Sequence, residues 1–200
     1  MKKVEVPFEN SNNLVIVPVI INNSLPLKFI LDTGVPNSII IDRVISDFLN
    51  LGYDRKIDLS GAGSDTAIKA FIVNNVSVSI PGITGNGLNF VVLEEDYLQL
   101  DKYFGINVHG IIGADIFNRF IVKVDYEKKI LTFYEPSSFK PARPYFALPI
   151  RVIDSKPYIS AEVSLSDTAG TEVSMMVDLG ASHSVLLELD SVNKIQLPEK

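Results

Sequence analysis

The sequence predicts an all-β protein: one complete lobe with short helices, followed by the first strands of a second, related lobe. Most segments of the 200-residue chain are short apolar runs rich in valine and isoleucine and bounded by turn residues, a pattern typical of short strands. Residues near the end of the chain also repeat the order of residues near its start, which indicates two units built alike. Lobe one is predicted at residues 1–140 and the part of lobe two at 141–200.

The first strands of lobe one are separated by asparagine-rich turns. Strands are predicted at Val4–Phe8, Leu14–Ile21 and Leu25–Leu31, and a fourth at Ser38–Ile41. After Asp42 the apolar residues are spaced three and four apart, which predicts a short amphipathic helix capped by that aspartate. The residues of its predicted apolar face are Val44, Ile45, Phe48 and Leu49. Alternating strands and a hairpin then complete the lobe.

A proline-rich segment separates the two units. Pro136, Pro141 and Pro144 fall within nine residues, and proline interrupts both strand ladders and helices. Beyond this linker, Lys28–Gly34 has a counterpart in Ser174–Gly180. The offset between the copies is 142 residues at the first matching prolines and 146 at the aspartates, so the second copy carries extra residues in one turn.

Composition excludes several classes of function. The formal net charge is −6, which argues against a nucleic-acid partner, and no apolar run approaches the ~20 residues of a membrane span. Cysteine is absent and only His109 and His183 are present, which excludes cysteine-based and multi-histidine metal sites and leaves only a carboxylate-rich site open. The first residues lack the apolar core of a signal peptide, so either the protein is cytoplasmic or a leader has been removed.

Each copy places an aspartate after an apolar run and a glycine two residues later. The simplest interpretation of Asp32-Thr33-Gly34 and of Asp178-Leu179-Gly180 is a turn. If the two copies pack about a pseudo-twofold axis, however, the aspartates meet at the axis. Two carboxyl groups so close share one proton, and they can then act as general base toward a water and general acid toward a carbonyl.

Several segments resemble the retropepsin and pepsin family of aspartic proteases. Phe29–Gly34 resembles the active-site motif, and Gly110–Phe117 resembles the hydrophobic–hydrophobic–glycine element that passes beneath the aspartate loop. Asp125–Phe133 is similar to the closing hairpin. A segment between two predicted strands is similar to the glycine-bearing flap of retropepsins; its residues are Gly61, Ala62, Gly63 and Ser64.

The resemblance implies an acid-protease β-barrel lobe that hydrolyses peptide bonds in a peptide or protein substrate, without a metal or organic cofactor. It also implies a secreted or periplasmic location. The catalytic pair would be Asp32 and Asp178. The residues expected to support the two loops are Thr33, Gly34, Ser38, Gly180 and Ser184.

Two departures from the family pattern favour an alternative. Leu179 stands where the family usually has threonine or serine, and only 22 residues follow Asp178, too few for the remaining elements of a lobe. We therefore expect Asp178 to be poorly held, these 200 residues to have little or no peptidase activity, and residues 145–200 either to self-associate or to fold back on lobe one. The alternative function is a weak or inactive module that binds extended peptides.

A serine hydrolase is the other chemistry weighed. Residues 180–184 approximate a nucleophile elbow without its final glycine, but no histidine follows His183 to act as the base that such an elbow requires.

Overall fold

Strands form most of the computed structural model, which describes residues 3–60, 67–142, 146–164 and 170–187. The strands of lobe one are β1 (Lys3–Pro7), β2 (Glu9–Ser11), β3 (Leu14–Ile21), β4 (Pro26–Leu31), β5 (Ser38–Ile40), β6 (Arg55–Ser60), β7 (Ala67–Ile80), β8 (Ile83–Leu93), β9 (Gly110–Ile112), β10 (Ile121–Asp125) and β11 (Ile130–Tyr134). Its helices are α1 (Arg43–Phe48), α2 (Leu100–Phe104) and α3 (Ala114–Phe117), with a 3-10 turn at Pro136–Ser138. Lobe two contributes β12 (Arg151–Ile153), β13 (Lys156–Val163) and β14 (Thr171–Met176).

A six-stranded barrel forms the centre of lobe one. The largest sheet runs in the order β2-β3-β4-β9-β5-β8-β7-β6. Strand β3 also pairs with β7, and this pairing closes six strands into the barrel: β3, β4, β9, β5, β8 and β7. The closing ladder joins Ile20 to Ser79 and Ile21 to Val78. A separate sheet, β1-β11-β10, contains the closing hairpin expected at Asp125–Phe133. The all-β prediction is confirmed.

Strand β3 is buried on both faces because it lies between two apolar clusters. Val15, Val17 and Val19 belong to the larger cluster, which also contains residues of β4, β7 and β8. Leu14 and Ile16 belong to a smaller cluster completed by residues that precede β9. A strand covered on both faces has a continuous apolar run instead of alternation, which is the pattern seen in this segment.

Helix α1 forms where the sequence predicts it, with the predicted cap. The Asp42 carboxylate accepts a hydrogen bond from the Val44 N–H at 2.8 Å. The predicted apolar face is only partly correct. Ile45 packs against the larger cluster and Leu49 is buried within it, whereas Val44 and Phe48 are exposed, because a helix of six residues presents only one turn to the barrel.

The hairpin of lobe two repeats the first hairpin of lobe one. Strands β12 and β13 begin and end 142 residues after β2 and β3. Both turns use two residues with positive φ: Asn12 and Asn13 at 50° and 66°, and Asp154 and Ser155 at 50° and 63°. Burial differs, because β3 is mostly buried while its counterpart β13 contains only half-buried and exposed residues. The second copy has the local geometry of the first without its packing.

Residues 143–145 of the linker lie outside the described part of the chain. The described residues on either side, 135–142 and 146–150, have no regular structure beyond the 3-10 turn. Among the described residues, no helix has the length and apolarity needed to cross a membrane.

Strand β9 is threaded between β4 and β5, and Gly110 permits this close approach. It pairs parallel with Phe29 of β4 and antiparallel with Ile40 of β5. A Cβ atom on Gly110 would overlap the Phe29 ring and the carbonyl oxygen of Ile39.

We expect Gly110→Ala to lower the free energy of unfolding by about 1–3 kcal/mol, because ring and backbone must both move to admit the methyl group. The matched control is Gly52→Ala, where nothing lies within 4 Å of the added atom and the change should stay within about 0.5 kcal/mol. Urea unfolding of the two variants measures both, and equal midpoints would contradict this account of β9.

Candidate active site

The barrel delivers Asp32 to the end of a buried strand. Asp32 follows β4 directly, and its N–H donates to the carbonyl oxygen of Ile112 at 2.9 Å, which extends the parallel pairing of β4 with β9 by one step. Only 9% of Asp32 is exposed. The backbone of Asp32 is therefore held by β4, which it follows, and by its hydrogen bond to β9.

The same tight turn follows each aspartate. The Gly34 N–H donates to Asp32 Oδ1 at 2.5 Å, and the Gly180 N–H donates to Asp178 Oδ1 at 2.8 Å. Each carboxylate therefore accepts a hydrogen bond from the glycine two residues later, as in the simple turn interpretation. The Asp-x-Gly turn is thus present in both loops, and it does not exclude a site formed by the two aspartates together.

Each glycine lies against the aspartate of the other loop. A Cβ atom on Gly34 would lie 2.9 Å from Asp178 Oδ1, and one on Gly180 would overlap the Asp32 carboxyl group. The Asp32 and Asp178 carboxyl groups are therefore neighbours, and their interaction affects the pKa of Asp32. Only glycine allows two loops to approach so closely. The two aspartates singled out in the sequence are thus in contact, although 146 residues separate them.

Burial raises the pKa of Asp32 to about 7, and the hydrogen bond to Asp178 and the charge of that residue act in the same direction. The N–H groups of Gly34 and Gly180 oppose the shift because they stabilise the charged form. One carboxyl group of the pair therefore keeps its proton in mildly acidic solution.

The two loops are joined by Thr33 but not symmetrically. The Thr33 hydroxyl donates to the carbonyl oxygen of Val177 at 2.6 Å and accepts from the Leu179 N–H at 3.0 Å. Leu179 occupies the equivalent position in lobe two and has no hydroxyl to return these bonds. Its side chain instead packs against the larger apolar cluster of lobe one. Lobe one therefore holds the Asp178 loop directly, unlike the poorly held aspartate expected from the short second copy. The reason for expecting little or no peptidase activity is thereby removed.

The two serines expected to support the aspartates have different surroundings. Ser38 is fully buried, and its hydroxyl accepts from the Gly113 N–H at 3.3 Å and donates to Asp115 at 3.4 Å. It thus stabilises the segment that passes beneath the Asp32 loop. Ser184 is exposed and lies with Asp178 along an open cavity of about 690 Å³ on the surface of lobe two.

The flap expected at Gly61, Ala62, Gly63 and Ser64 lies outside the described residues. The strands on either side, β6 and β7, pair antiparallel as far as Ser60 opposite Ala67.

Sequence reasoning missed one contact between the lobes. The Asn13 side-chain amide donates to the carbonyl oxygen of Ser182 at 3.0 Å. Asn13 looks like an ordinary turn residue, since asparagine favours the positive φ found there, and nothing in the sequence connects it to a loop 169 residues away. Within the described ranges, no three histidine or carboxylate side chains form a group that could hold a metal ion.

Comparison with known proteins gives the family. A family model described as aspartyl protease matches residues 17–116, half of the chain, including Asp32. The chain belongs to the aspartyl protease family. A solved structure similar to this aspartyl protease is a retropepsin-like aspartic protease from Rickettsia conorii. It has 18% sequence identity, the match covers 66% of this chain and 90% of that one, and the TM-score is 0.45. Curated proteins give no match.

The expected family is therefore confirmed, and the closed barrel agrees with the fold expected for lobe one. The matched residues of this aspartyl protease end before Asp178, which is connected to the site by its contact with Asp32.

The raised pKa of Asp32 predicts how stability varies with pH. Between pH 3.8 and about 7, folded Asp32 keeps a proton that the unfolded chain releases. The free energy of unfolding should therefore fall as pH rises through this window, by at most about 1.4 kcal/mol per pH unit. Asp32→Asn removes this contribution and should flatten the profile.

Urea unfolding of the parent and of Asp32→Asn across this pH range measures the difference. Burial lowers the pKa of His109, which contributes with the opposite sign, and subtracting the two profiles removes that contribution. Parallel profiles for the two proteins would show that Asp32 titrates normally.

Proposed function

We propose that this protein is an aspartic endopeptidase that hydrolyses peptide bonds with a water activated between Asp32 and Asp178. The observation that carries the proposal is the close approach of these two carboxyl groups, with the pKa of Asp32 raised to about 7. Membership of the aspartyl protease family supports it. A buried carboxyl pair sharing one proton contains both a base and an acid at one point.

In the proposed mechanism the ionised carboxylate takes a proton from water while the water oxygen attacks the carbonyl carbon of the substrate. The protonated carboxyl group donates its proton to the carbonyl oxygen, so a neutral tetrahedral intermediate forms. Breakdown of this intermediate requires a proton on the leaving nitrogen, which the pair can now return. As the C–N bond breaks, one hydroxyl of the intermediate gives its proton to the other carboxylate and becomes the C=O of the product acid, so the pair again holds one proton.

The substrate would be a peptide or a protein segment in extended form. The antiparallel hairpin of β6 and β7 leads toward the predicted flap, and an extended peptide can add to such strands through its backbone. The alternative, a module that binds extended peptides without cleaving them, is favoured by one observation. Most residues of β12, β13 and β14 are half-buried or exposed, so lobe two supports Asp178 from fewer sides than lobe one supports Asp32.

Replacing either aspartate with asparagine tests the mechanism. We expect Asp32→Asn and Asp178→Asn each to lower the rate of peptide cleavage by at least about a hundredfold, because an amide can be neither the base nor the acid. The control is Asp154→Asn, an exposed turn residue of lobe two, which should keep the parent rate.

Cleavage of a peptide library, followed by mass spectrometry, measures the rates. If only Asp32 matters, Asp178 is structural. If the parent protein binds peptides but leaves them intact, the binding module is the correct function.

The exposed apolar residues of lobe two lead us to expect self-association through residues 145–200. Leu148 is 71% exposed and Ile150 is 57% exposed, and both precede β12. Light scattering should give a mass that rises with protein concentration, and the double change of Leu148 and Ile150 to lysine should reduce it. Val44→Lys, at an equally exposed apolar residue of lobe one, is the control. A monomer at all concentrations would contradict self-association and favour the alternative, in which this part of the chain folds back on lobe one.

A further inference from the structure

The loop that carries Asp178 is held mainly by lobe one. Thr33 contributes two hydrogen bonds to its backbone, Asn13 contributes one, and the Leu179 side chain packs against the apolar cluster of lobe one. The sheet from which the loop emerges offers less, since of the residues of β14 only Val173 is buried. The position of Asp178 therefore depends on contacts made outside its own lobe.

Thr33 and Leu179 occupy equivalent positions in the two loops, and each attaches one loop to the other lobe by a different kind of contact. Thr33 joins the loops with one hydroxyl that both donates and accepts. A leucine can do neither, but it can remove apolar surface from water. The cluster it packs against includes Leu31 and Ile112, which flank Asp32 in the sequence and in the neighbouring strand. The core that fixes Asp32 is thus the core to which Leu179 docks.

We propose that Leu179 is a positioning residue for Asp178: its side chain, docked on the core of lobe one, replaces the hydroxyl that a symmetric pair of loops would use. Asn13 provides a second attachment at the far end of the same loop, four residues beyond Asp178. The docking itself is independent of any reaction, while its effect on catalysis rests on the function proposed above.

An apolar anchor suits this place because lobe two packs loosely. A hydrogen bond stabilises a loop only while its donor and acceptor keep a suitable distance and angle. Apolar burial has no directional requirement and needs only a firm surface on one side, which the buried cluster of lobe one supplies. By packing on this cluster, Leu179 restricts the movement of the neighbouring residue Asp178.

The test measures the titration midpoint of Asp32 instead of peptide cleavage. Titration of the Asp32 side-chain carbon by NMR reports whether Asp178 is in place, because contact with Asp178 raises the pKa of Asp32. In Leu179→Ala the loop should separate from lobe one and admit water, and the midpoint should fall by at least about one pH unit. Leu179→Met preserves the apolar contact and should titrate like the parent.

Leu186→Ala is the matched control, since this leucine lies in the same segment and is 81% exposed. It should leave the midpoint unchanged. A parent-like titration of Leu179→Ala, or a fall in Leu179→Met as large as in Leu179→Ala, would overturn the proposal. If Leu179→Ala does not fold, Leu179→Val replaces it, and that variant must show a smaller fall in the same direction for the proposal to stand.

Peptide cleavage by the same variants separates this inference from the proposed function. If the protein is a peptidase, Leu179→Ala should lower kcat far more than it changes KM, because the loop places a carboxyl group and does not bind the peptide. If the parent protein cleaves nothing while Leu179→Ala still shifts the Asp32 titration, the proposed function fails and the positioning role stands. Normal cleavage by Leu179→Ala would overturn the positioning role alone.

Discussion

The contact between two buried carboxyl groups is the constraint on which the rest of this molecule depends. Asp32 and Asp178 are neighbours whose carboxyl groups interact, and each lies against the glycine of the opposite loop. Two acidic groups resist such an approach unless one keeps its proton and both are held by backbone N–H groups. The barrel, the threaded strand β9 and the bond from Asp32 to Ile112 all supply the firm backbone that this contact requires.

The two lobes contribute unequally to this contact. Lobe one surrounds its aspartate with a closed barrel and two apolar clusters. Lobe two has the same hairpin, with the same left-handed turn, but its strands are mostly open to solvent. Local geometry is therefore encoded in a short stretch of sequence, whereas burial requires segments that come from elsewhere in the chain.

This difference also explains how far sequence reasoning reached. Strand patterns, the Asp42 cap and the Asp-x-Gly turns depend on neighbouring residues, and each was predictable. The pairing of the two aspartates was predictable because the repeat places them at equivalent points. Barrel closure through Ile20 and Ser79, the Ser38 bonds beneath the loop and the Asn13 contact depend on distant segments with no distinctive pattern. The Val44 and Phe48 side chains were misassigned because helical spacing identifies a possible apolar face without showing how much of it is covered.

The reciprocal placement of Gly34 and Gly180 has a consequence for how the two copies can diverge. Each glycine forms the wall of a site that belongs to the other half of the chain. A larger residue at either position would leave its own aspartate in place and displace the opposite one. Most substitutions in one half of the chain affect only that half. A substitution of Gly34 or Gly180 acts instead on the acidic group supplied by the other half.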